Sequence, residues 1–109
     1  MPPTTREDRR SLALHEAIGE RLLKAPRDVV SRARRTLALT RERNPGARAL
    51  LEEWDALLRL PPSDLIDVLR DPSPRARELR QVTPFAGILS AAERTRVYEA
   101  FEASEGRPR

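Results

Sequence analysis

The run Ala47-Arg48-Ala49-Leu50-Leu51-Glu52-Glu53-Trp54-Asp55-Ala56-Leu57-Leu58-Arg59-Leu60-Pro61-Pro62 decides the fold class. Its apolar residues recur at intervals of three and four, the period that gathers side chains on one face of an α-helix. Leu50, Leu51, Trp54, Leu57 and Leu58 make this the densest apolar face in the chain. That predicts a central core helix over about 47–60, ended by two prolines that cannot continue it. Pro26, Pro45, Pro72, Pro74 and Pro84 cut the rest of the sequence into stretches of modest helical length. No segment alternates with the period of a strand, and β-branched residues are few. The expected architecture is all-α: a compact bundle of about five to six short helices in a single domain over residues 5–103, with disordered tails at 1–4 and 104–109.

Upstream, Thr5 is the expected N-cap of a helix reaching Lys24, with Glu7 and Asp8 in the first turn, where carboxylates suit the helix dipole. Leu14, Ile18 and Leu22 form its main stripe, and Leu12 and Leu23 lie on a second ridge about 120° from Ile18. So broad an apolar surface calls for two neighbouring helices, or for one neighbour and a partner molecule. Pro26 suits the first position of a second helix reaching Arg43, where Asn44-Pro45-Gly46 stops it. Val29, Val30, Ala33 and Leu37 are its inward stripe, and Leu39 falls on the far side, exposed unless something covers it. Downstream of the core helix, Ser63 can cap a short helix to Arg70 with Leu65, Ile66 and Leu69 inward. Ser73-Pro74 opens another to Gln81. Ser90 and Glu93 have capping-box spacing, starting a last helix to about Ala103 that buries Val97, Ala100 and Phe101.

Leu, Ile, Val and Phe make up 25 of the 109 residues, enough for a modest core. One histidine and no cysteine exclude thiol nucleophiles, disulfides, zinc fingers and iron–sulfur ligation. No catalytic residue, metal ligand or cofactor is expected, and the protein reads as non-enzymatic. His15, with no nucleophile motif and no second histidine, is expected to be structural or superficial. Asp64, Asp67 and Asp71 share the face of a short helix. A cation site would use such a face, but first-turn and capping roles account for them without an EF-hand pattern. No apolar run is long enough for a membrane span, and Met1–Arg10 lacks a secretion-signal core, so a soluble cytoplasmic protein is expected.

Twenty of the 21 basic residues are arginine, a bias that a GC-rich genome produces on its own. The charge is uneven: residues 1–46 hold 11 basic and 6 acidic side chains, whereas residues 47–109 hold 10 and 11. In the second helix Arg27, Arg34 and Arg41 recur every seven residues and stay within about 40° of one another, with Arg32, Arg35 and Arg43 on the opposite side. Such a row can pair with carboxylates of a partner, contact successive phosphates, or simply be a solvated face. No helix-turn-helix signature or interleaved aromatics accompany it.

The least generic stretch is Leu79-Arg80-Gln81-Val82-Thr83-Pro84-Phe85-Ala86-Gly87-Ile88-Leu89-Ser90. Pro84 holds Thr83 extended and Gly87 permits a positive φ, so Phe85, Ile88 and Leu89 sit on an irregular segment and must be covered. They are either a plug over the helical core or an anchor for another protein. Together with Glu93-Arg94, and more weakly Leu14-His15-Glu16-Ala17-Ile18, this stretch resembles one common in small, mostly uncharacterised helical proteins of actinobacteria and other GC-rich bacteria. Some of those are associated with toxin–antitoxin gene pairs. The resemblance implies an interaction role and no catalytic residue. The expected function is an antitoxin-like protein that binds and neutralises a partner encoded beside it. Leu12, Leu23, Leu39, Phe85 and Ile88 would supply apolar contact, and Arg27, Arg34 and Arg41 would pair with acidic groups. The alternative is a DNA-binding transcriptional regulator, one that can act on its own promoter, contacting phosphate through Arg27, Arg32, Arg34, Arg35, Arg41 and Arg43, and a homodimer stays open in either case.

Overall fold

In the computed structural model, which describes residues 5–106, Thr5 opens α1 (Arg6–Lys24) with a reciprocal cap. Its hydroxyl accepts the Asp8 N–H at 3.1 Å, and the Asp8 carboxylate accepts the Thr5 N–H at 3.2 Å. The tail expected at 1–4, and residues 107–109 of the one expected at 104–109, lie outside the described residues. Ala25 alone joins α1 to α2 (Pro26–Arg43), with Pro26 in the first turn, where its missing N–H costs nothing. A 3-10 turn over Pro45–Ala47 leads into α3 (Arg48–Leu57), followed by α4 (Pro62–Arg70), α5 (Pro74–Gln81) and α6 (Ala91–Glu105). The fold is an all-α bundle of six helices, with no strand among the described residues. No helix among them is long and apolar enough to cross a membrane.

Several boundaries differ from the sequence expectation for local reasons. α3 ends at Leu57 rather than Leu60, because the chain tightens into i→i−3 turns, Arg59 N–H to Ala56 C=O and Leu60 N–H to Leu57 C=O, before Pro61. α4 begins at Pro62, so Ser63 lies inside its first turn and does not cap it; the extended Pro61 precedes the helix without a side-chain cap. Ser73 and Ser90 do cap, accepting the Ala76 and Glu93 N–H groups at 3.2 and 3.1 Å. α6 runs to Glu105, so Ser104 and Glu105 are helical rather than part of a tail, and Ala100 is exposed while Phe101 is buried.

The centre of the bundle is α1, not α3 as expected from the density of its leucines. α1 packs against α2, α4 and α6, whereas α3 meets α2 and α5. Length decides this: the broad apolar surface of a 19-residue helix can seat three neighbours, and a 10-residue helix cannot. Ile18 and Leu22 of α1, Val29 and Leu37 of α2, and Leu65 and Leu69 of α4 form one continuous core with Leu51 and Trp54 of α3. α4 packs over Gly19, where a Cβ would meet Ile66 at 3.7 Å, an ordinary van der Waals contact.

Short helices leave a gap in this core, and the irregular segment between α5 and α6 fills it. Phe85 is 1% exposed and its ring packs edge-to-face with Trp54, with centroids 5.6 Å apart and planes at 77°. Ile88, 3% exposed, follows it inward. Phe85 and Ile88 are therefore core residues of their own chain and offer no surface to a partner, which corrects their expected role as anchors. Gly87 turns the segment with φ +85°, and its carbonyl accepts Arg32 Nη2–H at 2.8 Å. Phe85→Ala removes the largest part of the plug and leaves a cavity beside Trp54. A stability loss of about 3–5 kcal/mol is expected, read as a fall in the urea midpoint.

Candidate functional site

His15 is the only histidine, and it is buried on α1. Its Nδ1–H donates to the Ser11 carbonyl at 2.8 Å; because that oxygen can only accept, Nε2 is the free lone pair, and it takes the Thr83 hydroxyl proton at 2.8 Å. Thr83 Oγ1 in turn accepts the Phe85 N–H at 3.2 Å. Burial lowers the imidazole from 6.5 to about 4, against the Ser11 hydrogen bond and with help from the Arg80 charge. The ring is neutral and both nitrogens are engaged, so His15 pins the plug to α1 and leaves no nitrogen to work on a substrate. Asp71 Oδ1 accepts the Ser73 N–H at 2.9 Å, a turn role, and Asp64 sits in the first turn of α4. Among the described residues, no group of three His, Cys, Asp or Glu is placed to hold a metal ion.

Arg80 gave no signal in the sequence yet is buried, 5% exposed. Its Nη1–H donates to the Asp71 carbonyl at 2.6 Å, while Nε finds no acceptor. Burial holds the guanidinium below its ordinary pKa, opposed by Asp71 and Asp8.

Most of the basic first half is used internally. Along α1, Arg6, Arg9 and Arg21 pair with Glu102, Glu105 and Glu93 of α6, and Arg10 lies 4.7 Å over the Tyr98 ring. The charge asymmetry between the halves is thus partly a seam between α1 and α6. On α2, Arg32 reaches Asp28 at 3.6 Å in addition to Gly87, and Arg41 reaches Asp55 of α3 at 3.9 Å. Arg34 touches the Leu58 carbonyl at 3.4 Å. Arg27, Arg35 and Arg43 are exposed and have no ion-pair partner among the described residues.

These contacts define the candidate site. Arg41 meets Asp55 and Arg34 meets the carbonyl at residue 58, so α3 runs antiparallel along α2 and ends partway, leaving the start of α2 without its neighbour. What remains is an open groove of about 410 Å³ with Pro26, Val30, Leu58, Leu60 and Pro62 as its apolar lining and Arg27 and Arg34 at its rim. Of the expected partner residues, the structure brings Arg27 and Arg34 together here. Leu23 is exposed nearby in sequence, Leu12 is half-buried, and Leu39, 52% exposed, does not line the groove. Val30, Leu60 and Pro62 were missed because the groove arises from the early end of α3, which no local pattern signals. Comparisons with family models, with curated proteins and with solved structures each found no match.

The His15 clamp sets a pH dependence. The unfolded imidazole protonates near pH 6.5 and the folded one near 4, so between these values the unfolded chain binds more protons. Stability is full above the upper value and falls by about 3 kcal/mol as the pH drops through the window. Urea midpoints measured from about pH 7 to pH 4.5 should show this decline in the native protein and a much flatter profile in His15→Gln.

Proposed function

We propose that this chain is a non-enzymatic protein-interaction module that docks a partner in the groove between α2 and the α3–α4 turn. One observation carries the reading: an open aliphatic floor, Val30, Leu60 and Pro62 among it, whose two rim arginines have no carboxylate partner among the described residues. An apolar patch flanked by guanidinium groups suits a protein surface that presents aliphatic side chains beside carboxylates, because arginine pairs with carboxylate in a fixed bidentate geometry and the floor contributes by burial. The resemblance of residues 79–94 to small, mostly uncharacterised helical proteins of GC-rich bacteria, some of them associated with toxin–antitoxin gene pairs, supports taking the partner to be the product of a neighbouring gene, bound and neutralised in the cytoplasm.

Phosphate is the weaker reading. Arg32 and Arg41 are already engaged. Arg27, Arg35 and Arg43 are eight residues apart, so each is turned about 80° from the last and they fan around α2 instead of lining one side.

Co-expression of the full chain with the adjacent gene product should give a 1:1 complex on size exclusion with light scattering. Leu60→Asp should weaken it at least about tenfold while helicity and melting temperature are retained. A complex as tight with Leu60→Asp as with the native chain would contradict the docking site. Tight duplex-DNA binding with a steep negative dependence on salt, and no protein complex, would favour the phosphate reading.

A further inference from the structure

The groove has a counterpart on the same chain. Glu16, Glu20 and Leu23 follow i, i+4, i+7 spacing on one exposed side of α1, within about 60° of one another. Leu23 is 64% exposed, more than Leu39 or Leu60, and among the described residues no carboxylate–arginine pair involves either glutamate. The three border a shallow depression of about 150 Å³ over Gly19 and Ile66, with Arg70 at its edge. An exposed leucine flanked by two carboxylates therefore stands just before the Ala25 joint. An aliphatic groove flanked by two arginines begins just after it.

We infer that a second copy of this chain fills the groove. Leu23 of one protomer enters beside Leu60 of the other, Glu16 and Glu20 meet Arg27 and Arg34, and the same residues make the reciprocal contact. A patch with an apolar centre, acidic on one flank and basic on the other, is self-complementary under a two-fold rotation, the commonest symmetry of protein dimers. The spans are compatible: the two glutamates are about 6 Å apart along their helix and the two arginines about 10.5 Å, a difference the long arginine side chains absorb. The inference rests on reading the α2 groove as a docking surface. It adds that self-association occupies that surface when the neighbour-encoded partner is absent, so that the dimer and the partner complex exclude each other.

Charge reversal on the full chain tests it. By sedimentation velocity the native protein should be dimeric. The all-acidic variant R27E/R34E and the all-basic-flank variant E16R/E20R, each checked for native helicity, should have dissociation constants raised at least about tenfold. Mixed in equal amounts, the two variants should form a heterodimer with close to native affinity, because each reversed flank then faces its complement on both sides of the two-fold axis. A native chain that stays monomeric up to about 300 μM, a level at which weak specific contacts are populated, would overturn the dimer. Variants that self-associate as well as the native chain would overturn it too. A monomeric native chain whose partner complex still depends on Leu60 removes only the dimer; a dimer unaffected by either reversal, together with a Leu60-independent partner complex, removes the docking surface as well.

Discussion

The fold depends on how the indole of Trp54 is housed. The side chain is fully buried, and a buried N–H without an acceptor costs about 1–3 kcal/mol. Its Nε1–H donates at 2.8 Å to the Leu79 carbonyl, which in the last turn of α5 also accepts the Val82 N–H at 3.2 Å. The bond fixes α3 to α5, and the ring then offers its surface to Phe85. With 10, 9 and 8 residues, α3, α4 and α5 are shorter than the roughly 12–15 at which an isolated helix becomes even marginal, so their order comes from such packing. The segment that follows α5 is held at three places: Thr83 by His15 of α1, Phe85 by Trp54 of α3, and the Gly87 carbonyl by Arg32 of α2.

The same economy governs the charges. A chain this rich in arginine suggests nucleic acid at first sight, yet many of these side chains are structural. They join α1 to α6, hold the plug, or tie α2 to α3. Exposed ion pairs of this kind contribute at most about 1 kcal/mol each, so their effect is to orient helices more than to stabilise them. On the proposed reading, the charge that meets a partner is what stays without an ion pair beside apolar surface among the described residues. The start of α2, where α3 has ended, meets that condition through Arg27 and Arg34.

Much of this was legible in the sequence. The caps at Thr5, Ser73 and Ser90, the start of α2 at Pro26 and the inward residues Leu65, Ile66 and Leu69 are local features, written in residue type and spacing. What could not be read depends on distant parts of the chain. The destination of Phe85 was ambiguous because a plug and an anchor have the same local sequence, and only the gap between short helices decides for the plug. Arg80 carries no mark of burial in its own helix. The groove was hidden for the same reason: its two arginines form a visible heptad, but the floor comes from the α3–α4 turn and from three missing residues of helix.

Native-state hydrogen exchange bears most directly on the claim that the irregular segment is the keystone of the bundle. The Trp54 indole N–H and the Phe85 amide should exchange only through global unfolding, with the same free energy as the amide of the buried Leu22 in the last turn of α1. If those two protons exchange through a local opening several kcal/mol below the global value while Leu22 remains protected, the segment is a cover over a core that stands without it, and the account is wrong.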